Sequence, residues 1–297
     1  MRVVINTPNG NIGRRLATQL LERGVEVVGL SRSPDKVKDL ADRGMKVIEG
    51  SVDDGAALER AFEGADAVFW LTPPVAGPDF HEVATRTAKA AAEAAKRKGV
   101  KRAVVLSSVG AQTGRGTGPV GVMLEIEQAF QAAVPNVTVL RPGFFMENFL
   151  RSADSIAKAG SIFMPAPADK KFPVVSTSDI GDKAAEVLLD AGWSGHRFVG
   201  VHGPADLTYN EAAAILSDAL GKPVAYVQVT LDQARQGMLG AGMPAFLADI
   251  YLEMYGAILD GRMDAAEPRS PETTTKTTLA EFARTVLRPA VEAAAPR

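Results

Sequence analysis

Thr7, Asn9, Gly10, Asn11, Ile12 and Gly13 stand between an apolar run, Val3-Val4-Ile5, and a helical stretch that opens Arg14-Arg15-Leu16. A strand–turn–helix of this kind aims unpaired backbone N–H groups and the positive end of a helix dipole at one spot, which a pyrophosphate satisfies. Gly10 lets the backbone approach a ligand, and Gly13 lets the helix pack closely on the strand. Thr7 stands where a G-x-x-G-x-x-G run has its first glycine. An NAD site places an acid about 20 residues further on, against the ribose 2′-hydroxyl. Here that place reads Ser31-Arg32-Ser33. A guanidinium between two hydroxyls suits a 2′-phosphate, so Arg32 points to NADP(H) over NAD(H).

The elements that must hold these residues alternate along the first half. Runs at 25–30, 46–49, 67–71, 103–106 and 137–140 read as strands after the first, with an alanine-rich helix from Phe80 to Lys98 among the crossovers. This is the pattern of an α/β protein with a Rossmann-type, doubly wound parallel sheet. Residues 1–150 are expected to form the dinucleotide-binding domain, with strands returning from about 172–202, and 151–297 a smaller, mainly helical substrate-binding domain that closes over it. Thr208-Tyr209-Asn210-Glu211 has the form of a capping box for a helix that Gly221 and Pro223 end. Between Leu231 and Leu259, Met238, Met243, Phe246, Ile250, Met254 and Ile258 recur at helical spacing, as core or a dimer seam before a pocket wall. Thr273 to Thr278 reads as a polar loop before a last helix.

With 46% hydrophobic residues in 297, the chain can bury a full core. A net charge of −2 argues against coating nucleic acid or an anionic membrane. The chain has no cysteine, which excludes thiolate catalysis and thiolate metal sites. No His-Glu spacing resembles a metal site. The first residues show no charged leader, and no apolar run spans a bilayer. A cytoplasmic monomer or homodimer acting on a small molecule is expected. The cations Lys96, Arg97, Lys98, Lys101 and Arg102 follow a helix C-terminus, where they complement its dipole.

Asn6 to Gly13, Ser31-Arg32, Gly50-Ser51-Val52-Asp53, Leu71-Thr72-Pro73-Pro74, Ser107-Ser108-Val109-Gly110 and Arg141-Pro142-Gly143-Phe144-Phe145-Met146-Glu147-Asn148 together resemble the NmrA-like branch of the atypical short-chain dehydrogenase/reductases. The likeness continues through Val175-Ser176-Thr177-Ser178-Asp179-Ile180 and the helix start at Leu207-Thr208-Tyr209. It implies an NAD(P)-binding Rossmann domain, and relatives that reduce quinones or triphenylmethane dyes or sense the nicotinamide redox state without catalysis. By the same resemblance, Thr7 to Gly13 would hold the pyrophosphate, Arg32 the adenine ribose, and Ser51, Val52 and Asp53 the adenine edge. Leu71, Thr72 and Pro73 would line the other ribose, Ser107 and Ser108 would stand beside the reacting ring, and Pro142, Gly143, Phe144 and Phe145 would border nicotinamide and substrate. Ser51 departs from the aspartate that relatives often have.

Most short-chain dehydrogenases pass a proton through a tyrosine with a lysine four residues later. In the corresponding helix this chain has Pro119 and Met123, and its four tyrosines, Tyr209, Tyr226, Tyr251 and Tyr255, all follow residue 200. Candidate proton donors reduce to His81, at a helix start, and Glu125, while the resemblance makes Glu127 structural. An electron-poor acceptor such as a quinone, an iminium or an enone needs little proton assistance in the slow step, so positioning suffices. The expected function is NADPH-dependent hydride transfer to a bulky apolar or conjugated molecule, in a pocket that includes Ser108, Met123, Phe144, Phe145, Asn148 and part of the Met-rich region. The alternatives are a non-catalytic redox sensor with a protein partner and a redox-neutral lyase or isomerase.

Overall fold

The computed structural model describes residues 1–73 and 77–295; Pro74, in one of the motifs above, and the last two residues lie outside the described residues. The first part alternates β1 (Arg2–Ile5), α1 (Asn11–Glu22), β2 (Glu26–Ser31), α2 (Lys38–Asp42), β3 (Lys46–Glu49), α3 (Gly55–Phe62), β4 (Ala67–Leu71), α4 (Phe80–Arg97), β5 (Arg102–Leu106), α5 (Met123–Ala133) and β6 (Asn136–Pro142). There follow β7 (Phe144–Phe145), α6 (Ala153–Ala159), β8 (Ser161–Met164), β9 (Lys171–Val175), α7 (Thr177–Leu189), β10 (His196–Val201), β11 (Asp206–Thr208), α8 (Tyr209–Leu220) and β12 (Ala225–Gln228). The chain closes with α9 (Leu231–Gly240), α10 (Ala245–Leu259), α11 (Leu279–Phe282) and α12 (Arg288–Ala294).

Seven strands form one parallel sheet in the order β10-β6-β5-β4-β1-β2-β3. The central strands are apolar on both faces because helices cover both. Val4, Val28, Val68 and Val105 pack under α3, α4 and α5, while Val3, Ile5, Val27 and Phe69 pack under α1 and α7. The fold is therefore the doubly wound α/β class that the alternating pattern predicts. The chain moves outward from β1 to β3 and then crosses to β4, so the winding reverses between β1 and β4. Ligands bind such sheets at that switch point, outside the strands' carboxyl ends.

Of the strands expected to return from about 172–202, β10 enters the main sheet. β9 pairs instead with β7 and β11 in a three-stranded sheet, and β8 pairs with β12. These smaller sheets and helices α6, α8, α11 and α12 enclose a third apolar cluster around Phe149, Leu216 and Leu287. Thr208 caps α8 through the expected box, and Gly221, at φ +70°, ends it.

The apolar stretch 231–259 folds as two helices broken at Gly242 and Pro244. In α9 no residue is buried, and in α10 only Ala248 and Ala257 are. The methionines and aromatics of this stretch are half-buried. The threonine run is pinned rather than loose: the His202 N–H donates to Thr273 O (2.7 Å), and the Thr275 N–H donates to His202 O (2.7 Å). Cations near the end of α4 are paired locally, Arg97 with Glu59 and Lys98 with Glu59 and Glu63. Among the described residues no helix is long and apolar enough to cross a membrane.

Candidate functional site

At the switch point the end of β1 is tied to the end of β4 by one side chain. Asn6, only 4% exposed, donates from Nδ2 to Leu71 O (2.8 Å) and accepts the Leu71 N–H (2.9 Å). The sequence reading leaves Asn6 out of the site; an amide at the end of an apolar strand was the available signal.

The turn after Asn6 folds as a phosphate cradle. The Gly10 N–H donates to Thr7 O (3.2 Å), and Gly10 O accepts the first helical bond, from Arg14 N (2.8 Å). No side chain caps α1 and no acid lies in its first turn. Its leading amides and dipole are thus available to an anion. Asn9, Gly10 and Asn11 are exposed, and Ile12 and Gly13 are buried. A Cβ on Gly13 would lie 2.0 Å from the Thr7 carbonyl oxygen, so the helix approaches the turn as closely as glycine permits. Thr7 does not spoil this arrangement. Its φ is not positive, and its hydroxyl is buried without a hydrogen-bond partner among the described residues. These residues fit a dinucleotide pyrophosphate.

Around the cradle, Arg14 pairs with Asp39, and Arg15 is bidentate to Asp182 (2.6 and 2.8 Å). Arg32 is exposed and joins no ion pair among the described residues, which leaves its guanidinium for a ligand. The turn before it is fixed by the Ser33 N–H donating to Ser31 Oγ (3.2 Å). Across from it, Ser51 hydrogen-bonds Asp53 and, with backbone and the charges of Arg32 and Arg86, holds that carboxyl below its usual range. Val52 is half-buried against the core.

Several expected contacts turn out to have other partners. Thr72 Oγ1 accepts from Trp70 Nε1 (3.1 Å), and Leu71 and Pro73 are half-buried at the crevice. The Ser107 hydroxyl points inward, to Glu127 Oε1 (2.5 Å), so only the Ser107 backbone borders the crevice; Ser108 is half-buried beyond it. Pro142 O accepts the Val109 N–H (3.0 Å), the Gly143 N–H donates to Val201 O (3.1 Å), and Gly143 presses on the Pro173 carbonyl. Phe144 and Phe145 do not share one pocket face, because successive strand residues alternate. Phe144 joins Phe149 and Phe172 (centroids 5.3 and 5.4 Å apart) in the smaller unit, whereas Phe145 packs on the main-sheet core. Met123 opens α5 and packs with Phe80 and Val52 against the opposite core face, and Asn148 is half-buried in the turn after β7.

His81 and Glu125 come into one neighbourhood with Arg115 and Glu253, but neither is a ready acid. Burial pushes the Glu125 carboxyl up, yet Arg115 (2.9 Å) and Thr85 (3.0 Å) with the charges of Arg115 and Lys89 bring it below its ordinary value, so it stays ionised. Burial and the Arg115 charge lower the His81 imidazole against the pull of Glu253 and Glu125, leaving it neutral at pH 7. Pro119 lies in the turn Gly118–Val120, which packs against α10. Tyr209 stacks between Phe172 and Tyr226, with burial pushing its phenol well above the ordinary range.

The switch-point crevice with its open helix terminus defines a dinucleotide-binding α/β protein. Residues 1–283 match the NmrA-like family, and the chain belongs to it. NAD(P)H azoreductase of Xenophilus azovorans is 35% identical over 283 residues, 93% of this chain and 94% of that protein. A (4-alkanoyl-5-oxo-2,5-dihydrofuran-3-yl)methyl phosphate reductase of Streptomyces griseus is 30% identical over 84% of this chain and 85% of its own. The crystal structure of NADPH-dependent quinone oxidoreductase from Escherichia coli, in complex with NADPH, superimposes with a TM-score of 0.81 at 24% identity, covering 95% of this chain and 98% of that one.

Proposed function

We propose that this protein is an NADPH-dependent reductase that transfers hydride to a bulky apolar or conjugated small molecule of quinone, iminium or enone type. The coarser part, an NAD(P)H-dependent reductase, rests on the family and on the azoreductase and quinone oxidoreductase relatives. The observation that carries the finer part is the pairing of an open phosphate cradle with an acceptor side that has no ready acid. NADPH bound there supplies the hydride. The bare start of α1 holds the pyrophosphate, and Arg32 recognises the 2′-phosphate. Asn6 ties the ends of β1 and β4 together at the switch point. The half-buried α10 and Phe144 exclude water from an acceptor that needs proximity more than acid catalysis.

Calorimetric titration with NADPH, NADP, NADH and NAD tests the cofactor reading: NADPH is expected to bind about tenfold more tightly than NADH, the worth of one charged hydrogen bond. Equal affinity for the two would remove Arg32 from its role. The rival is a non-catalytic redox sensor, favoured by the lack of a proton relay at Pro119 and Met123; it requires that the reduced and oxidised forms bind with different affinity and that no acceptor oxidises the reduced one. A redox-neutral lyase or isomerase, suggested by Thr7, requires no dinucleotide binding.

A further inference from the structure

After α10 the chain runs back over the loop that follows β5. Thr113 Oγ1 donates to Arg262 O (2.7 Å), Arg262 Nη1 donates to Gly116 O (2.8 Å), and Gln112 Nε2 donates to Asp264 O (3.1 Å). The strap then sends Glu267 into the main sheet. Its Oε1 accepts from Arg141 Nη1 (2.8 Å), while Arg141 Nε and Nη2 donate to the two oxygens of Glu127 (3.0 and 2.7 Å). Glu127, which holds the Ser107 hydroxyl, is fully buried, and Arg141 is 4% exposed. Beyond Glu267, Arg269 donates to Gly203 O and pairs with Asp206, and Thr277 binds Asp179 (2.6 and 2.9 Å).

Two parts of the site meet in this clamp. On one side, Arg141 directly precedes Pro142 and Gly143, and Glu127 anchors Ser107; these residues border the crevice floor. On the other side, the strap carries the end of α10, whose Ile250 and Met254 sit on Gly118 and whose Tyr251 hydroxyl accepts from Arg151 (3.2 Å). A cation and two carboxylates out of water are costly unless every arm is made. Glu267 is the arm that can be removed separately, since its second oxygen is buried without a partner while both Glu127 oxygens are engaged.

We propose that Glu267 is a positioning residue for acceptor binding: through Arg141 it fixes the strap and α10 against the crevice floor, and so sets the shape of the acceptor slot. This rests on the reductase reading above. Arg141 keeps its two bonds to Glu127 when Glu267 is neutralised, so Ser107, Pro142 and Gly143 stay in place while the wall above them loosens. Loss of Glu267 should therefore act on binding of a large acceptor and spare the cofactor.

The test is steady-state NADPH oxidation by the full chain and its E267Q and E267D variants, with 1,4-benzoquinone as small acceptor and 9,10-phenanthrenequinone as large one. E267Q is expected to raise KM for phenanthrenequinone about fivefold or more, with kcat, benzoquinone KM and NADPH affinity within about twofold. E267D, which keeps the charge on a shorter arm, should fall between and serves in place of E267Q should that variant not fold. A lowered melting temperature with an unchanged ratio of the two KM values would overturn the inference and leave Glu267 a purely structural residue. Absence of turnover in the unsubstituted chain with either quinone would remove the quinone acceptor from the reductase reading and this inference together, whereas turnover with an unmoved ratio removes this inference alone.

Discussion

Gly13 and Gly118 do the same physical work at opposite ends of the site. A Cβ on Gly13 would lie 2.0 Å from the Thr7 carbonyl oxygen, and one on Gly118 would lie 2.3 Å from that of Ile250. Each glycine lets a helix come against a turn: α1 against the cradle, and α10 against the loop after β5. They differ in reach. The cradle is closed by residues within one turn of chain, so it is the same object in any protein that keeps the motif. The wall is closed by a helix from the far end of the sequence, and Gly118 also sits at φ +58°, where side chains other than glycine are strained. The cofactor end is thus a local device, and the acceptor end a long-range one that each chain can assemble differently.

Substitution at the two glycines should separate these ends. Gly13→Val places branched carbons on the Thr7 carbonyl and is expected to weaken NADPH binding about 100-fold, or about 2.7 kcal/mol, read by calorimetry. Gly118→Ala adds both clash and strain, about 1–3 kcal/mol. It should lower the melting temperature and raise the acceptor KM about tenfold while NADPH affinity stays within about twofold. Were Gly118→Ala to weaken NADPH binding as much as Gly13→Val, the two ends would not be independent. Arg32→Ala sharpens the cofactor side: NADPH affinity should fall about tenfold and NADH affinity stay unchanged, as expected when one charged hydrogen bond to the 2′-phosphate is removed.

Glu125→Gln gives the smallest effect. Against the push of burial, Arg115 and Thr85 hold this carboxyl below its ordinary value in the folded protein. Its stabilisation is therefore present above the ordinary carboxylate range and lost as pH falls through the folded value. The variant should melt below the parent chain at pH 7, with the gap closing below about pH 4. Its turnover at neutral pH should stay within about twofold, because an ionised carboxylate donates no proton.

The contrast between the glycines also explains what was legible in the sequence. The sheet and the cradle follow from local signals: apolar runs of strand length, a turn with Gly10 and Gly13, and the Thr208 cap. Strand spans at 46–49 and 67–71 match β3 and β4 residue for residue. Partnerships across the chain were not legible. Nothing near Ser107 in sequence announces that its hydroxyl turns to Glu127, and the alternation that parts Phe144 from Phe145 appears only once β7 pairs with β9. Glu125 looked free because its cation, Arg115, lies in a glycine-rich loop whose path depends on α10. Glu267 carried no signal, since its partner Arg141 belongs to another element.

The most direct test of hydride transfer without a proton relay is stopped-flow mixing of the NADPH-loaded protein with quinone, iminium and enone acceptors, followed at the nicotinamide absorbance. A reductase of this kind gives a single-turnover decay with at least one of these classes, slowed when the transferred hydrogen of NADPH is deuterium. Tight NADPH binding with no decay for any acceptor would contradict it and leave a dinucleotide sensor in its place.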